Sequence, residues 1–159
     1  MTIDLDGESA LTLSTFTLSG DAWEQSFIKR QPVARLATID PQGRPHIVPI
    51  VFALARQRLF TPIDRKPKRA EPHQLQRVRN IQANPQVTVL FDEYHDDWRK
   101  LAWVQIRGQA SFVEAGSERD LGIKLLAERY SQYKNQLLAD RPVIVITMES
   151  MMSWRADAL

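Results

Sequence analysis

Between Asp64 and Arg79 the chain carries six basic residues (Arg65, Lys66, Lys68, Arg69, Arg77 and Arg79) against two acids, Asp64 and Glu71. That segment is net +4, whereas the whole chain is +2 with histidine neutral, so the remainder sums to about −2. Positive charge gathered in this way can hold an anion. Lysine heads act as point charges on a phosphate, and arginine adds paired N–H donors. The segment follows an apolar strand pattern and precedes a helical one, where a helix start exposes unpaired N–H groups. Thr61 and Asp64 stand beside it. The same residues also read as a charged turn in solvent. Pro72 and charged side chains mark the junction in place of a glycine-rich helix start, so the anion reading rests more on the lysine and arginine heads than on a helix dipole.

Other residues offer weaker chemistry. Arg35 lies inside the apolar run VARLATI, where a guanidinium must be paired or solvated; it either touches a ligand or faces a rim. His46, His73 and His95 share no metal-ligand spacing, and His95-Asp96-Asp97 reads as a polar loop, so no metal is expected. No Ser-His-Asp arrangement can be argued from scattered residue types. Trp98, Trp103 and Trp154 are able to stack on a planar ring, although aromatic residues near strands more often pack in a core. There is no cysteine, hence no thiolate site, thiol nucleophile or disulfide.

The elements that must position these groups are mostly strands. Asp21 and Glu24 have the spacing of a capping box, opening a helix with Trp23 and Phe27 on one face and an end near Gln31-Pro32. Residues 33–39 read as a strand, Asp40 to Gly43 as a turn, and 44–55 as the returning strand. Pro45 and Pro49 deny that strand a full ladder, so backbone near Pro49 should be free for a ligand. Residues 58–63 form a third strand. Leu75, Val78 and Ile81 place an apolar stripe on a helix over 71–83, stopped by Asn84-Pro85. Strands follow at 86–94, 101–114 and 142–150, with Gly108 a bulge or a close backbone approach, and Ser117 caps a helix to about Arg129.

Six strands with short connections and two or three helices predict a mainly β fold, a small antiparallel barrel with helices, in place of a doubly wound sheet. Residues 1–20 read as an N-terminal extension, either an edge strand around TLSTFTL or a tail, and 21–159 as one domain. The chain has 159 residues, 43% hydrophobic and 25% charged, enough for one core. Neither a signal-like N-terminus nor a membrane-length apolar run is evident, so a soluble, cytoplasmic protein is expected. No dinucleotide or P-loop glycine motif is present.

Four stretches in order, ARLATIDPQGRPHIVPIVFAL, RLFTPIDRKPKR, VRNIQANPQVTVLFDEY and WVQIRGQASFVE, resemble the pyridoxamine 5′-phosphate oxidase-like flavin-binding split barrels. The likeness is nearest to their F420-dependent group of deazaflavin/flavin oxidoreductases. It runs from about Trp23 to Trp154 and includes an NIxxNP signature at Asn80 to Pro85. The resemblance implies a six-stranded antiparallel split β-barrel, a homodimer, and a cofactor in each cleft between subunits. It implies that Arg65, Lys66 and Lys68 hold the cofactor phosphate. Pro49, Ile50, Val51, Thr61 and Pro62 would lie along the ribityl chain and ring. One departure stands out. Where the oxidases proper carry an Arg-Gln pair whose Gln contacts FMN, this chain has Ala102-Trp103, and an indole cannot repeat the amide's two-way hydrogen bonding. Trp103 offers an aromatic wall instead, which counts against vitamin B6 oxidation and favours the deazaflavin branch.

The implied reaction is hydride transfer between F420, or alternatively FMN, and a small organic substrate. Arg35, His95 and Trp103 are candidates on the substrate side, with Trp98 or Trp154 coming from a partner subunit. A flavin or tetrapyrrole carrier without turnover is a rival. RNA binding through the basic loop is a third reading, disfavoured because no aromatic platform lies between Asp64 and Asn84. The expected partners are therefore a small molecule and a second copy, with no nucleic acid and no membrane.

Overall fold

The computed structural model describes residues 21–63, 71–135 and 138–156. The N-terminal extension and the basic segment containing Arg65, Lys66 and Lys68 lie outside the described residues.

Helix α1 spans Ala22–Arg30. Trp23 and Phe27 meet edge to face at 6.1 Å, and Phe27 is fully buried. The expected capping box does not form: the Asp21 side chain makes no cap hydrogen bond, and the buried Glu24 carboxylate accepts from Ser153 Oγ instead. A tertiary partner has replaced the local one.

Strand β1, Ala34–Ile39, pairs antiparallel with β2, Pro45–Ile50. The turn between them closes through Gly43 N–H to Asp40 O at 2.9 Å, with Gly43 at φ 78°. A positive φ there suits glycine and fits the right-handed twist of a hairpin. The predicted single strand over 44–55 is two. After β2 the chain breaks at Val51-Phe52 and resumes as β3, Ala53–Ala55. Strand β4, Arg58–Pro62, pairs with β3. Seven strands thus replace the expected six.

A 3-10 turn over Pro72–Gln74 precedes α2, Gln76–Ala83. Extended Leu75 (ψ 133°) divides the helix expected over 71–83. Strand β5, Gln86–Glu93, pairs with β6, Ala102–Val113, after a second 3-10 turn at Trp98–Lys100. Helix α3, Ser117–Arg129, starts from Gly116 rather than from a Ser117 cap. Strand β7, Val143–Arg155, runs five residues past the predicted end and takes in Trp154.

The sheet order is β2-β1-β5-β6-β7-β4-β3, antiparallel throughout. Its two edges, β2 and β3, are consecutive in sequence and joined only by Val51 and Phe52. At ~3.8 Å per residue the edges therefore stand within about 11 Å of each other at that point, so the sheet must curl on itself. The result is an antiparallel split barrel whose edges meet without closing.

The main core fills the curl with Leu36, Phe52, Leu59, Phe91, Val104, Ile106 and Ile146, closed by Phe27 and Ile28 of α1 and Val78 and Ile81 of α2. A second core, including Phe60, Leu125, Leu126 and Val145, packs α3 against β3, β4 and β7. Gly108 satisfies both expectations held for it. The β6–β7 register shifts between Arg107 and Gly108, and a Cβ at Gly108 would lie 2.2 Å from the Thr147 carbonyl oxygen.

Candidate cofactor site at the split

The NIxxNP signature turns out to be structural. Asn80 is fully buried; its Nδ2 donates to Thr38 Oγ1 at 2.9 Å and its Oδ1 accepts from Gln76 Nε2 at 2.6 Å. Ile81 enters the core, and Pro85 O accepts from Ala110 N–H at 2.8 Å. The motif pins α2 to β1 and β6, fixing the helix that follows the basic segment.

The split itself is held by Tyr130, at the C-terminus of α3. Its hydroxyl accepts from Phe52 N–H at 3.1 Å and lies 3.0 Å from the carbonyl oxygens of both Phe52 and Pro32. Burial pushes the Tyr130 pKa up, keeping the hydroxyl protonated as a donor. Beside it, Arg129 lies 4.1 Å over the Phe52 ring and donates to the carbonyls of Lys29 and Gln31 at 3.2 and 2.5 Å. Two adjacent residues of α3 thus fasten the β2–β3 break and the end of α1.

Around this fastening the fold gathers several predicted residues. The β3–β4 register pairs Ala53 with Phe60; continued past the strand end, it sets Phe52 beside Thr61 and Val51 beside Pro62. Pro49, Ile50, Val51, Thr61 and Pro62 therefore share one corner of the barrel. Ile50, Thr61 and Pro62 are buried, whereas Pro49 is exposed and Val51 partly so. β2 is an edge strand bonded only to β1, which leaves alternate backbone groups unpaired on its outer side, as Pro49 led one to expect. The Phe52 groups are not among these, because Tyr130 takes them. Beyond Pro62 the exit of β4 is clamped by Ile63 N–H to Pro142 O at 3.1 Å and by Arg141 Nε to Ile63 O at 2.9 Å.

The remaining candidates divide between two places. Arg35, opposite Pro49 on β1, is not a lone buried cation: its Nη1 lies 3.6 Å from Asp92 Oδ1 and both side chains are partly exposed. Asp92 in turn stands opposite Trp103, and Trp103 opposite Trp154. Arg35, Asp92, Trp103 and Trp154 share the outer face of the sheet with Pro49. Three strand spacings separate Pro49 from Trp103 along that face, on the order of 15 Å. His95 lies elsewhere, with Nε2 3.9 Å from Glu93 Oε2 in a groove beside α1. Trp98 is 71% exposed. Among the described residues no cluster of three or more potential metal ligands occurs, and no helix is long and apolar enough to cross a membrane.

The edge backbone at 49–51 and the indole of Trp103 thus lie on one side of the sheet, three strands apart. Sequence reasoning missed Tyr130, Arg129 and Asp92. Tyr130 reaches across 78 residues to Phe52, and only its place just past a predicted helix end hinted at a role.

The pyridoxamine 5′-phosphate oxidase family model matches residues 21–155. No curated protein sequence matches significantly. Among solved structures, the chain is similar to a conserved hypothetical protein, Rv2991, from Mycobacterium tuberculosis, at 21% identity and TM-score 0.70, covering 90% of this chain and 89% of that one. It is similar to HutZ, the heme storage protein from Vibrio cholerae, at 23% identity and TM-score 0.66, covering 85% and 93%. An F420 reductase matches at 23% identity and TM-score 0.58, covering 80% and 94%.

Proposed function

The chain belongs to the pyridoxamine 5′-phosphate oxidase family, and from that premise we propose that it is an oxidoreductase transferring a hydride between the deazaflavin F420 and a small organic substrate, with FMN as the alternative cofactor. The observation that carries the reading is the corner where the edge backbone of 49–51 meets Thr61 and Pro62, directly ahead in sequence of Arg65, Lys66 and Lys68.

When bound, the ring supplies the hydride chemistry; the protein's part is binding, orientation and electrostatics. Arg65, Lys66 and Lys68 hold the phosphate. Edge backbone along Pro49, Ile50 and Val51, where alternate groups are left unpaired, meets the polar edge of the ring, and Thr61 and Pro62 border the chain between ring and phosphate. Trp103 supplies a flat wall where a glutamine amide would otherwise bond the ring. Arg35, steadied by Asp92, offers positive charge on the face where substrate enters. His95 is set apart from this group.

A single copy leaves about 15 Å of sheet between Pro49 and Trp103, wider than one planar ring needs. A second copy, laid against the outer face, brings its own Trp103 or Trp154 toward Pro49. This is the reading of the homodimer that the site supports.

The visible absorption spectrum of the purified protein, with mass spectrometry of the released ligand, distinguishes F420 from FMN. Replacing Lys66 and Lys68 together by Ala is expected to weaken cofactor binding by about 2 kcal/mol or more, at ~1.5–3 kcal/mol for each charge-assisted bond. Unchanged titration curves in that double variant would remove the phosphate assignment.

A carrier of flavin or tetrapyrrole without turnover is the second reading. It is favoured by the state of Tyr130, the titratable group at the break, whose hydroxyl is committed to backbone partners. Reduced cofactor mixed with unsaturated and tetrapyrrole substrates separates the two. Oxidation only at the rate seen without protein would leave the carrier standing.

A further inference from the structure

A groove of about 390 Å³ opens between α1, the β5–β6 connection and the end of β7. That volume lies within the ~300–1,000 Å³ range of small-molecule sites. It is separate from the split. Side chains alternate along β6, so Ala102 lines the groove on the α1 side while Trp103 faces the other way. Arg155 brings the C-terminal end of the 13-residue β7 to the groove, whereas Pro62 pairs with Val143 at its N-terminal end. Those two ends are ~40 Å apart along the strand.

The floor is aromatic. Trp23 and Phe27 meet edge to face, and each carries a guanidinium, Arg155 at 4.8 Å from the indole and Arg30 at 4.7 Å from the phenyl ring. The two arginines differ in how they are compensated. Arg30 is committed to Glu93 through bonds of 3.0 and 3.1 Å, and Glu93 also accepts from Gln31 Nε2 at 2.7 Å. Arg99 is likewise committed to Asp97, at 2.9 and 3.1 Å. Arg155 and Lys100 have no carboxylate within ion-pair distance among the described residues; Lys100 feels Asp97, which Arg99 already holds. Among the described residues the groove thus holds two positive charges without a carboxylate of their own, beside the Trp23 ring.

We propose that this groove is a binding site for a small aromatic carboxylate, distinct from the cofactor corner. The planar body lies against the half-buried Trp23, which the buried Phe27 backs from beneath, and there an aromatic face gains both apolar contact and ring geometry. The carboxylate takes the uncommitted N–H edge of Arg155, a guanidinium being matched to carboxylate geometry, and Lys100 adds a second charge. Glu93, paired with Arg30 and Gln31, does not oppose the anion as a free carboxylate would. The inference stands whether or not the split binds F420.

Isothermal titration of the full chain with 2-naphthoate and with its neutral counterpart 2-naphthamide tests it. The acid is expected to bind saturably and at least about ten-fold tighter than the amide, the scale of a charge-assisted bond. Arg155→Gln and Lys100→Gln should each weaken the acid several-fold and leave the amide unchanged. Lys100→Gln keeps the test decisive if Arg155→Gln disturbs the packing on Trp23. Lys66→Ala with Lys68→Ala should leave naphthoate binding intact. Equal affinity for acid and amide, no saturable heat, or loss of binding in the Lys66/Lys68 variant would each overturn the proposal.

Discussion

Tyr130 shows how much of the split depends on one polar atom. Phe52 is fully buried, so its N–H has no water to turn to if the Tyr130 hydroxyl is removed. Tyr130→Phe is expected to destabilise the fold by roughly 1–3 kcal/mol, the cost of stranding a buried donor. Urea midpoints measure it; a loss under about 0.5 kcal/mol would mean the break at Val51-Phe52 is held by packing alone. Residues of this kind were hidden in the sequence because their work is done across the fold. Gly108 was legible, since a glycine inside a strand pattern has few uses other than a bulge or close approach. Asn80 was visible as part of a signature but not as a buried peg to Thr38, because nothing local distinguishes a helix-surface amide from a buried one. Asp21 and Glu24 show the opposite failure: their spacing fitted a local cap, and Ser153 outcompeted it.

At the scale of elements, α1 is tied to the barrel through its C-terminal turn. Arg30 and Gln31 both bond Glu93 of β5, and Arg129 of α3 holds the carbonyls that end the helix. The Arg30 hydrogen bond is the chief reason the Glu93 carboxyl titrates below its ordinary value of 4.5. A depressed carboxylate favours the fold above that ordinary value, and its contribution is lost as pH falls through the folded-state pKa. Glu93 is partly exposed, so the effect is a fraction of a kcal/mol. Glu93→Gln should flatten the acid limb of the stability curve below about pH 4.5 relative to the parent chain. Parallel curves for both proteins from pH 3 to 6 would show that this tether contributes nothing measurable. Element types and order were readable because apolar periodicity survives in the strands. Breaks were not, since Leu75 leaves the helix and Val51-Phe52 leaves the strand for tertiary reasons, and extension of β7 through Trp154 follows from pairing with β6.

For the molecule as a whole, the outer face of β2, β1, β5, β6 and β7 is the surface that a single copy leaves unexplained. Ile47, Met152 and Trp154 are 64%, 50% and 47% exposed, and the strand registers align them with Pro49, Leu90 and Trp103. Large exposed apolar side chains on one face, interspersed with Arg35, Asp92 and Gln105, suit an association surface that is part apolar and part polar. The proposed homodimer covers it and at the same time supplies the second wall that the cofactor corner lacks, so assembly and cofactor binding should fail together. Sedimentation of the parent chain at micromolar concentration is expected to give twice the monomer mass. Trp154→Glu, which sets a carboxylate in the middle of the face, should shift it to monomer. Cofactor affinity should fall by the same substitution, although Trp154 is remote from Arg65, Lys66 and Lys68 in the sequence. A monomeric parent chain would sink the dimer reading outright. A dimer that survives Trp154→Glu with undiminished cofactor binding would place the second wall of the site within one copy, and the wide sheet between Pro49 and Trp103 would then have to be bridged by the chain itself.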